Sequence, residues 1–146
     1  MKITPSAAAL VVKGNKILMV QEEKESGHLT GIYGIPGGHV NAGELEIETA
    51  ARELAEETGI SAKIEDFEEF PGNYFTAKIS RKDGSVVNFG WRVFYCKKFS
   101  GELKKGKQTT PYWIDIEKAR EMHKERKLLP NIIEALDYYL EFISRP

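Results

Sequence analysis

Three glutamates of a predicted helix over residues 43–58 would concentrate negative charge on one face. At about 100° per residue, Glu53, Glu56 and Glu57 share that face. Carboxylates three and four positions apart repel each other, and the negative end of the helix dipole adds to the repulsion. Arg52 supplies one compensating charge at the edge of this face. A divalent cation would supply two, and clustered carboxylates suit a hard ion such as Mg²⁺, with Mn²⁺ as a substitute.

The same pattern can be interpreted as a solvated acidic helix surface, which would be the preferred interpretation for an arbitrary glutamate-rich helix. The glycines around the helix argue against it. Gly37 and Gly38 leave room for a backbone carbonyl to approach the carboxylates, and Gly59 ends the helix directly after them. Since a solvated charged helix needs neither feature, the pattern favours a metal site.

Residues 38–60 resemble the signature motif of a known family, the MutT/Nudix hydrolases. All nine defined positions of that signature are matched, by Gly38, Glu44, Arg52, Glu53, Leu54, Glu56, Glu57, Gly59 and Ile60. A spaced match of this kind is far more specific than a lone glycine motif. The strands around the motif and the C-terminal helix also resemble the family, whose fold is an α/β/α sandwich with a mixed β-sheet between helices. The resemblance therefore implies a single Nudix hydrolase domain over residues 1–146.

The resemblance implies a metal-binding role for the acidic face. Glu53, Glu56 and Glu57 are similar to the family's metal-binding carboxylates. Gly37 or Gly38 would lend a backbone carbonyl to the same ion. The implied cofactor is Mg²⁺.

Two further residues of the motif would act together with these glutamates. Arg52 resembles the residue that orients the glutamates by ion pairing. Glu44 resembles a structural glutamate that pairs with Arg52 or ties the preceding loop to the helix. With Glu53 and Glu56, these two residues make up the candidate catalytic set.

The reaction implied by the resemblance is attack of water on a diphosphate linkage of a small nucleotide. The candidate substrates are nucleoside triphosphates, oxidised nucleotides and nucleotide sugars such as ADP-ribose. Bound Mg²⁺ would offset the repulsion between the carboxylates and an anionic substrate and would activate water. Many family members carry a further acid shortly before a late tryptophan, but residues 108–112 before Trp113 contain none. This departure favours a general base within the motif, either Glu53 or Glu56.

Two other classes of function stay open on sequence grounds. A non-catalytic Nudix-fold sensor would bind nucleotide without cleaving it, although such a module is expected to lose some of the metal glutamates. An isomerase or an RNA-decapping relative is the other alternative, and decapping would need a basic path for RNA. The 21 basic and 22 acidic residues give a formal net charge of −1, which speaks against a DNA or RNA partner. The expected partner is a small nucleotide, bound by a monomer or a homodimer.

Four residues outside the motif are candidates for binding substrate. Tyr33 precedes the glycine-rich turn and could stack on a base or anchor its loop. Asn88 and Arg92 lie on the more polar face of an alternating strand, where Arg92 could hold a phosphate or form a surface ion pair. Tyr74 follows a turn and could line a pocket or fill the sandwich. On the apolar face of the same strand as Asn88, Trp91 is predicted to pack in the core.

Patterning and turn signals predict the elements that must position these residues. Strands are expected over 4–12, 17–20, 74–80, 85–99 and 111–116 and within 61–70, and helices over 43–58, 117–127 and 131–143. Gly14 and Asn15 signal a hairpin turn between the first two strands, and Asn131 is predicted to cap the last helix. Residues 21–34 are predicted to form a long loop, which in a small domain is often functional. The order indicates one α/β (α+β) domain with helices packed on a sheet.

Composition sets bounds on the class of protein. Hydrophobic residues make up 41% of the 146 residues and charged residues 29%, which is typical of a globular chain. Cys96 is the single cysteine, which excludes an internal disulfide and a cysteine-cluster zinc site. No apolar run approaches the roughly 20 residues of a membrane span. We therefore expect a cytoplasmic protein.

Overall fold

The computed structural model describes residues 3–23 and 31–145. The strands of this part of the chain are β1 (Thr4–Leu10), β2 (Val12–Lys13), β3 (Lys16–Glu22), β4 (Tyr33–Gly34), β5 (Gly37–His39), β6 (Phe67–Glu68), β7 (Tyr74–Ser80), β8 (Val86–Cys96) and β9 (Thr109–Asp115). The helices are α1 (Glu46–Thr58), α2 (Ile116–Lys124) and α3 (Ile132–Ile143), with a 3₁₀ turn over Ile64–Asp66. Of the helices described, none has the length and apolar character needed to cross a membrane.

Strand β1 lies inside a five-stranded mixed sheet. It runs parallel to β8, with Ser6 opposite Trp91, and antiparallel to β5, with Ser6 opposite His39. Strand β8 also pairs with β6 and β7. The apolar residues 7–11 are buried on both faces, as expected for a strand covered by helices on either side.

Strand β3 organises a second, antiparallel sheet. It pairs with β2 through the predicted turn at Gly14 and Asn15, with β4, and along its whole length with β9. The prediction of one continuous strand over residues 4–12 is wrong in its last part. The chain leaves the first sheet after Leu10, and Val12 pairs with Ile17 in the second sheet.

Two buried clusters lie on opposite faces of β1. One joins Ala8 and Leu10 to Leu136 of α3, and it also includes a residue of α2. The other joins Ala9 to Leu54 of α1. Since α1 covers one face of the strand and the C-terminal helices cover the other, the predicted α/β/α arrangement is confirmed.

Helix α1 begins later than predicted and ends where predicted. It starts at Glu46 rather than at Gly43, because Gly43 has a φ of +79° and lies in the preceding turn. The Glu48 carboxylate accepts a hydrogen bond from the Leu45 N–H at 2.8 Å, which stabilises this start. At the other end Gly59 has a φ of +82°, the left-handed cap conformation that glycine adopts without strain. The acidic residues therefore lie in the last turns of the helix.

Several other boundaries differ from the prediction. Asn131 does not cap α3 with its side chain: its φ is +70°, and its Oδ1 accepts a hydrogen bond from Trp91 Nε1 at 3.3 Å. The segment 61–70 contains the 3₁₀ turn and only a two-residue strand, and α2 ends at Lys124. The predicted loop over residues 21–34 overlaps the end of β3 and all of β4, and its central residues 24–30 lie outside the described part of the chain.

Candidate active site

The structure brings the predicted glutamates and glycines to one cleft, called the acidic cleft below. Its volume is about 830 Å³. The lining residues come from β3, β5 and the turn after it, α1, the β7–β8 hairpin, and the start of β9 with the segment before it. They are Glu22, Gly37, Gly38, His39, Asn41, Glu53, Glu56, Glu57, Arg81, Lys107, Gln108 and Thr109. Four of these side chains are glutamates, and two are lysine or arginine. The cleft therefore carries an excess of negative charge where α1 ends.

Glu57 is the most deeply enclosed carboxylate of the cleft. Its Oε1 accepts a hydrogen bond of 2.7 Å from the backbone N–H of Gly37. Burial raises the pKa of Glu57 well above its ordinary value, and the nearby charges of Glu53, Glu22 and Glu56 raise it further. The single backbone N–H does not offset these effects. Glu57 is thus a half-buried acid with other carboxylates nearby.

Glu44 has the opposite environment, because Arg52 and the polypeptide around it satisfy its carboxylate. Arg52 donates to both oxygens, from Nε at 2.8 Å and from Nη2 at 3.0 Å. The Thr49 hydroxyl adds a bond of 2.6 Å and the Asn41 N–H one of 3.1 Å. The hydrogen bonds from Arg52, followed by that from Thr49, lower the pKa of Glu44 to about 2. This is the pairing that the family resemblance implies.

Glu53 and Glu56 both pair with Arg52, but the Glu56 side chain is exposed whereas that of Glu53 is largely covered. Arg52 Nη1 donates to Glu53 Oε1 at 2.8 Å and to Glu56 Oε2 at 3.3 Å. Burial outweighs the ion pair at Glu53 and raises its pKa. A Cβ atom on Gly38 would lie 2.6 Å from Glu53 Oε1, so any larger residue there would displace the carboxylate from this position. Arg52 therefore fixes the positions of both glutamates.

The donor atoms of the cleft suit a divalent cation. Within residues 3–23 and 31–145 no three His, Cys, Asp or Glu side chains are drawn close enough together to hold a metal ion. In this arrangement Glu57 accepts a hydrogen bond from the Gly37 N–H, and Glu53 accepts one from Arg52. The donors are nevertheless carboxylate oxygens, which hard cations prefer. A cation among Glu53, Glu56 and Glu57 would supply the positive charge that Glu57 lacks, so these residues fit the implied metal.

An apolar pocket adjoins the acidic cleft and shares Glu22, Gly37, Gly38 and Glu57 with it. Its volume is about 100 Å³. The other lining residues are Ser6, Ala7, Ala8, Val20, Gly34, Ile35, Ala77, Ile79, Phe89, Trp91, Leu129, Pro130 and Ile132. The carboxylates thus stand at the boundary between a polar space and an apolar one.

Sequence reasoning missed several residues of these two sites. Trp91 packs against the core as predicted, but it also lines the apolar pocket. Glu22 lines both spaces from the end of β3, opposite Thr109 of β9. It brings a carboxylate close to the position where residues 108–112 lack one. Only the pairing of β3 with β9, which no local pattern encodes, could have pointed to Glu22. The alternation along β8, in contrast, did place Trp91 on the apolar face of its strand.

Tyr33 lies next to the apolar pocket but does not line it. Its N–H donates to the carbonyl of Lys127, and its own carbonyl accepts from the N–H of Leu129, both at 2.8 Å. Its ring packs beside Tyr112 with the ring centres 6.0 Å apart. Through these contacts Tyr33 fixes the segment that carries Leu129 into the pocket wall, which corresponds to the loop-anchor alternative.

Tyr74, Asn88 and Arg92 are not brought to the acidic cleft or to the apolar pocket. Arg92 pairs with Glu46 at the start of α1, with Nε and Oε1 3.2 Å apart. Its guanidinium lies 4.9 Å from the centre of the Tyr74 ring. Asn88 lines a separate hollow beside Ile3. The more polar face of β8 therefore packs towards α1 and away from the glutamates of the cleft.

Comparison with known proteins identifies the family. The profile of the NUDIX domain matches residues 2–136. The chain therefore belongs to the Nudix family. The solution structure of the Escherichia coli ORF135 protein has a TM-score of 0.72 at 24% identity, covering 100% of this chain and 95% of that one. This likeness shows that the two proteins share a fold.

Curated relatives of the chain include two pyrophosphatases. It is 28% identical over 120 residues to the CTP pyrophosphohydrolase of Escherichia coli (strain K12), covering 82% of this chain and 81% of the relative. It is 32% identical over 97 residues to the ADP-ribose pyrophosphatase of Methanocaldococcus jannaschii, covering 66% of this chain and 52% of the relative. The chain spans only 34% of the length of another curated relative.

Proposed function

We propose that the chain is a Mg²⁺-dependent hydrolase that cleaves a diphosphate linkage of a small nucleotide. The observation that carries this proposal is the position of Glu57, a half-buried carboxylate with a raised pKa at the boundary between the acidic cleft and the apolar pocket. A cation at Glu57 would bind phosphate on the polar side, while an apolar part of the substrate enters the pocket. Membership of the Nudix family supports the same reaction.

Glu53, Glu56 and Glu57 would hold the ion, with a backbone carbonyl of Gly37 or Gly38. When bound, Mg²⁺ lowers the pKa of water and neutralises charge on the phosphate oxygens. Glu53 or Glu56 accepts a proton from the attacking water as its oxygen bonds to phosphorus and the bond to the leaving phosphate oxygen breaks. Both carboxylates line the cleft, so either can reach the water.

Arg52 and Glu44 act as positioning residues in this proposal. Arg52 donates hydrogen bonds to Glu53 and Glu56, and Glu44 holds the other side of the same guanidinium. Because the planar guanidinium has its donors in a fixed geometry, it sets the spacing of the carboxylates more strictly than a lysine would. Neither residue needs to touch the substrate.

Arg81 and Lys107 are the proposed phosphate anchors. They line the acidic cleft from the β7–β8 hairpin and from the segment before β9. No ion pair joins either of them to a carboxylate of the described residues. Two cations that face four glutamates across a cleft can bind the phosphates that the metal does not reach.

Nucleoside triphosphates are the substrates we propose first, and ADP-ribose is the second choice. The relative that matches along 81% of its own length is named a CTP pyrophosphohydrolase. The relative named for ADP-ribose matches along 52% of its length. Both kinds of molecule carry a diphosphate linkage and a base.

The test is phosphate release from a nucleotide panel with and without Mg²⁺, using a coupled phosphatase to expose the products. The panel contains the common nucleoside triphosphates, 8-oxo-dGTP, ADP-ribose and diadenosine polyphosphates. We expect Mg²⁺-dependent turnover of at least one class and its collapse in Glu56→Gln or Glu53→Gln with the fold intact. Nucleotide binding without turnover of any panel member would contradict the hydrolase and favour the sensor.

A further inference from the structure

A short turn over residues 106–109 lies between the last turn of α1 and the end of β3. The Gly106 N–H donates a hydrogen bond of 3.0 Å to the Thr109 carbonyl and closes this turn. Lys107 and Gln108 lie within it, and both line the acidic cleft. The position of the 106–109 turn therefore decides where the positive charge of Lys107 lies relative to the glutamates of α1.

On the α1 side, the 106–109 turn packs against the backbone that carries two of the proposed metal glutamates. A Cβ atom on Gly106 would lie 3.0 Å from the Glu56 carbonyl oxygen and 3.1 Å from Glu57 Cα, whereas ordinary van der Waals contacts of a Cβ are 3.4–4 Å. Just before the turn, the Lys104 N–H donates to the Thr58 carbonyl at 2.7 Å and pairs one of the carbonyls that a helix end leaves free. The missing side chain of Gly106 thus allows direct contact with the last turn of α1.

On the β3 side, Glu23 holds the same turn. Its N–H donates to the Gln108 carbonyl at 2.9 Å. Its Oε1 accepts a hydrogen bond of 2.6 Å from the Thr110 hydroxyl and lies 3.3 Å from Lys105 Nζ. The 106–109 turn is therefore tied to both of the elements between which it lies.

We propose that Gly106 is a positioning residue, through which the 106–109 turn sets the distance between the phosphate anchor Lys107 and the carboxylates of Glu56 and Glu57. A larger residue would displace the turn or the helix by a few tenths of an ångström, and groups that act together in a site must be held to within about 0.5 Å. The φ of Gly106 lies outside the left-handed region, so alanine adds this contact without backbone strain. This inference rests on the proposed hydrolase activity.

The first experiment compares wild type, Gly106→Ala and the matched control Gly14→Ala by Mn²⁺ binding without nucleotide, followed through the EPR signal of the free ion. Gly14 has a φ of +62° and no atom within 4 Å of its would-be Cβ, so alanine there strains the backbone without touching α1. We expect the Kd for Mn²⁺ to rise about tenfold in Gly106→Ala, as is common for substitutions just outside the ligands of a metal. Gly14→Ala should keep the wild-type Kd.

The second experiment measures steady-state kinetics on the nucleotide that wild type hydrolyses best. The KM of Gly106→Ala should rise about three- to tenfold, because the contact of Lys107 with phosphate is misplaced. Glu23→Ala loosens the same turn from the β3 side and adds no atom at α1. It should raise KM about threefold and leave the Kd for Mn²⁺ unchanged, which keeps the proposal testable if Gly106→Ala does not fold.

An unchanged Kd for Mn²⁺ in Gly106→Ala, or an unchanged KM in Glu23→Ala, would overturn the inference. A lowered thermal midpoint with wild-type Kd and KM, as expected for Gly14→Ala, would show that Gly106 has only a structural role. Mn²⁺ binding does not depend on turnover, so these results can be distinguished from failure of the proposed function. If wild type binds Mn²⁺ but hydrolyses no member of the nucleotide panel, the hydrolase proposal fails. If wild type is active and Gly106→Ala matches it, only the inference about Gly106 fails.

Discussion

Glu44 and Glu57 are two glutamates of the same motif with opposite environments. Glu44 receives hydrogen bonds from Arg52, Thr49 and a backbone N–H, and its pKa falls to about 2. Glu57 accepts one hydrogen bond from a backbone N–H, is half-buried near other carboxylates, and has a raised pKa. The carboxylate of Glu44 is paired with the guanidinium of Arg52, whereas the hydrogen bond to Glu57 comes from an uncharged backbone N–H.

This contrast separates a structural acid from an acid prepared for a ligand. The fully paired Glu44 stabilises the folded chain and positions Arg52. In the proposed mechanism, the poorly compensated Glu57 would destabilise the metal-free protein and would gain a partner on binding a cation. Glu53 shares a feature with each of these acids, since it is paired with Arg52, as Glu44 is, but burial raises its pKa, as it does for Glu57. Substitutions of Glu44 and of Glu57 should therefore have different consequences for stability and for turnover.

The largest effect on turnover is expected from Glu57→Gln. The amide removes one charge from the metal site, so hydrolysis of the best nucleotide should fall by at least about a hundredfold. The amide oxygen can still accept the Gly37 N–H, and one buried charge is lost, so the thermal midpoint without metal should not fall. The matched control Glu65→Gln changes an exposed glutamate of the 3₁₀ turn and should retain wild-type turnover. Retained activity in Glu57→Gln would remove this residue from the site.

A smaller loss of turnover, with a clear loss of stability, is expected from Glu44→Gln. The substitution removes the charge that Arg52 pairs with, so the thermal midpoint should drop and the carboxylates that Arg52 positions should become less ordered. We expect turnover to fall about tenfold, less than in Glu57→Gln. Measurement of both variants in parallel by thermal unfolding and by steady-state kinetics checks the order. The reverse order of effects would contradict the division between the two acids.

The stability difference between wild type and Glu44→Gln should depend on pH. Because the folded pKa of Glu44 lies near 2 and its ordinary value is 4.5, its contribution is present above pH 4.5. The contribution is lost as the pH falls from 4.5 towards 2, where both proteins carry a neutral side chain at this position. Denaturant unfolding at several pH values should show the two curves converging in acid. A difference that is constant with pH would mean that the ion pair does not cause it.

A moderate effect on substrate affinity is expected from the two cations across the cleft. Arg81→Ala and Lys107→Ala should each raise KM by about three- to tenfold, because each removes a contact to phosphate. The value of kcat should change less, since neither residue contacts the proposed metal. Lys118→Ala, which removes an exposed cation on α2, is the matched control. A fall in kcat with unchanged KM would show that these residues do not act as phosphate anchors.

The smallest effects are expected at the sequence-predicted substrate residues that lie outside both spaces. Tyr74→Phe and Asn88→Ala should alter kcat/KM by no more than about twofold, as is usual for substitutions away from a site. Steady-state kinetics on the preferred nucleotide measures this directly. A loss greater than tenfold in either variant would place the polar face of β8 in the substrate site after all.

The helices and the acidic face could be predicted because they are encoded locally, whereas the sandwich arrangement was implied by the resemblance to the Nudix family. The spacing of Glu53, Glu56 and Glu57 and the helix end at Gly59 follow from helix geometry, and the Gly14 turn follows from its residues. The change of sheet at Val12 could not be predicted, because the run of apolar residues continues through this point without a break. The choice between sheets depends on partners far along the sequence.

The apolar pocket was not predictable for a related reason. Ser6 is a small polar residue in a buried strand, and nothing local indicates that it lines a pocket. Its position beside Trp91 comes from parallel pairing of β1 with β8, and Leu129 enters the wall through hydrogen bonds with Tyr33. Residues brought together by long-range pairing leave no spacing pattern. A motif can therefore identify the acids of the cleft without identifying the apolar surface beside them.

The most direct test of the contrast between the two acids is a Mg²⁺ titration followed by thermal unfolding. Wild type, Glu44→Gln and Glu57→Gln are measured in the same buffer without nucleotide. The account predicts that Mg²⁺ raises the midpoint of wild type and of Glu44→Gln, because both retain the metal carboxylates, and that the rise is lost in Glu57→Gln. An equal rise in Glu57→Gln, or a rise lost only in Glu44→Gln, would contradict it.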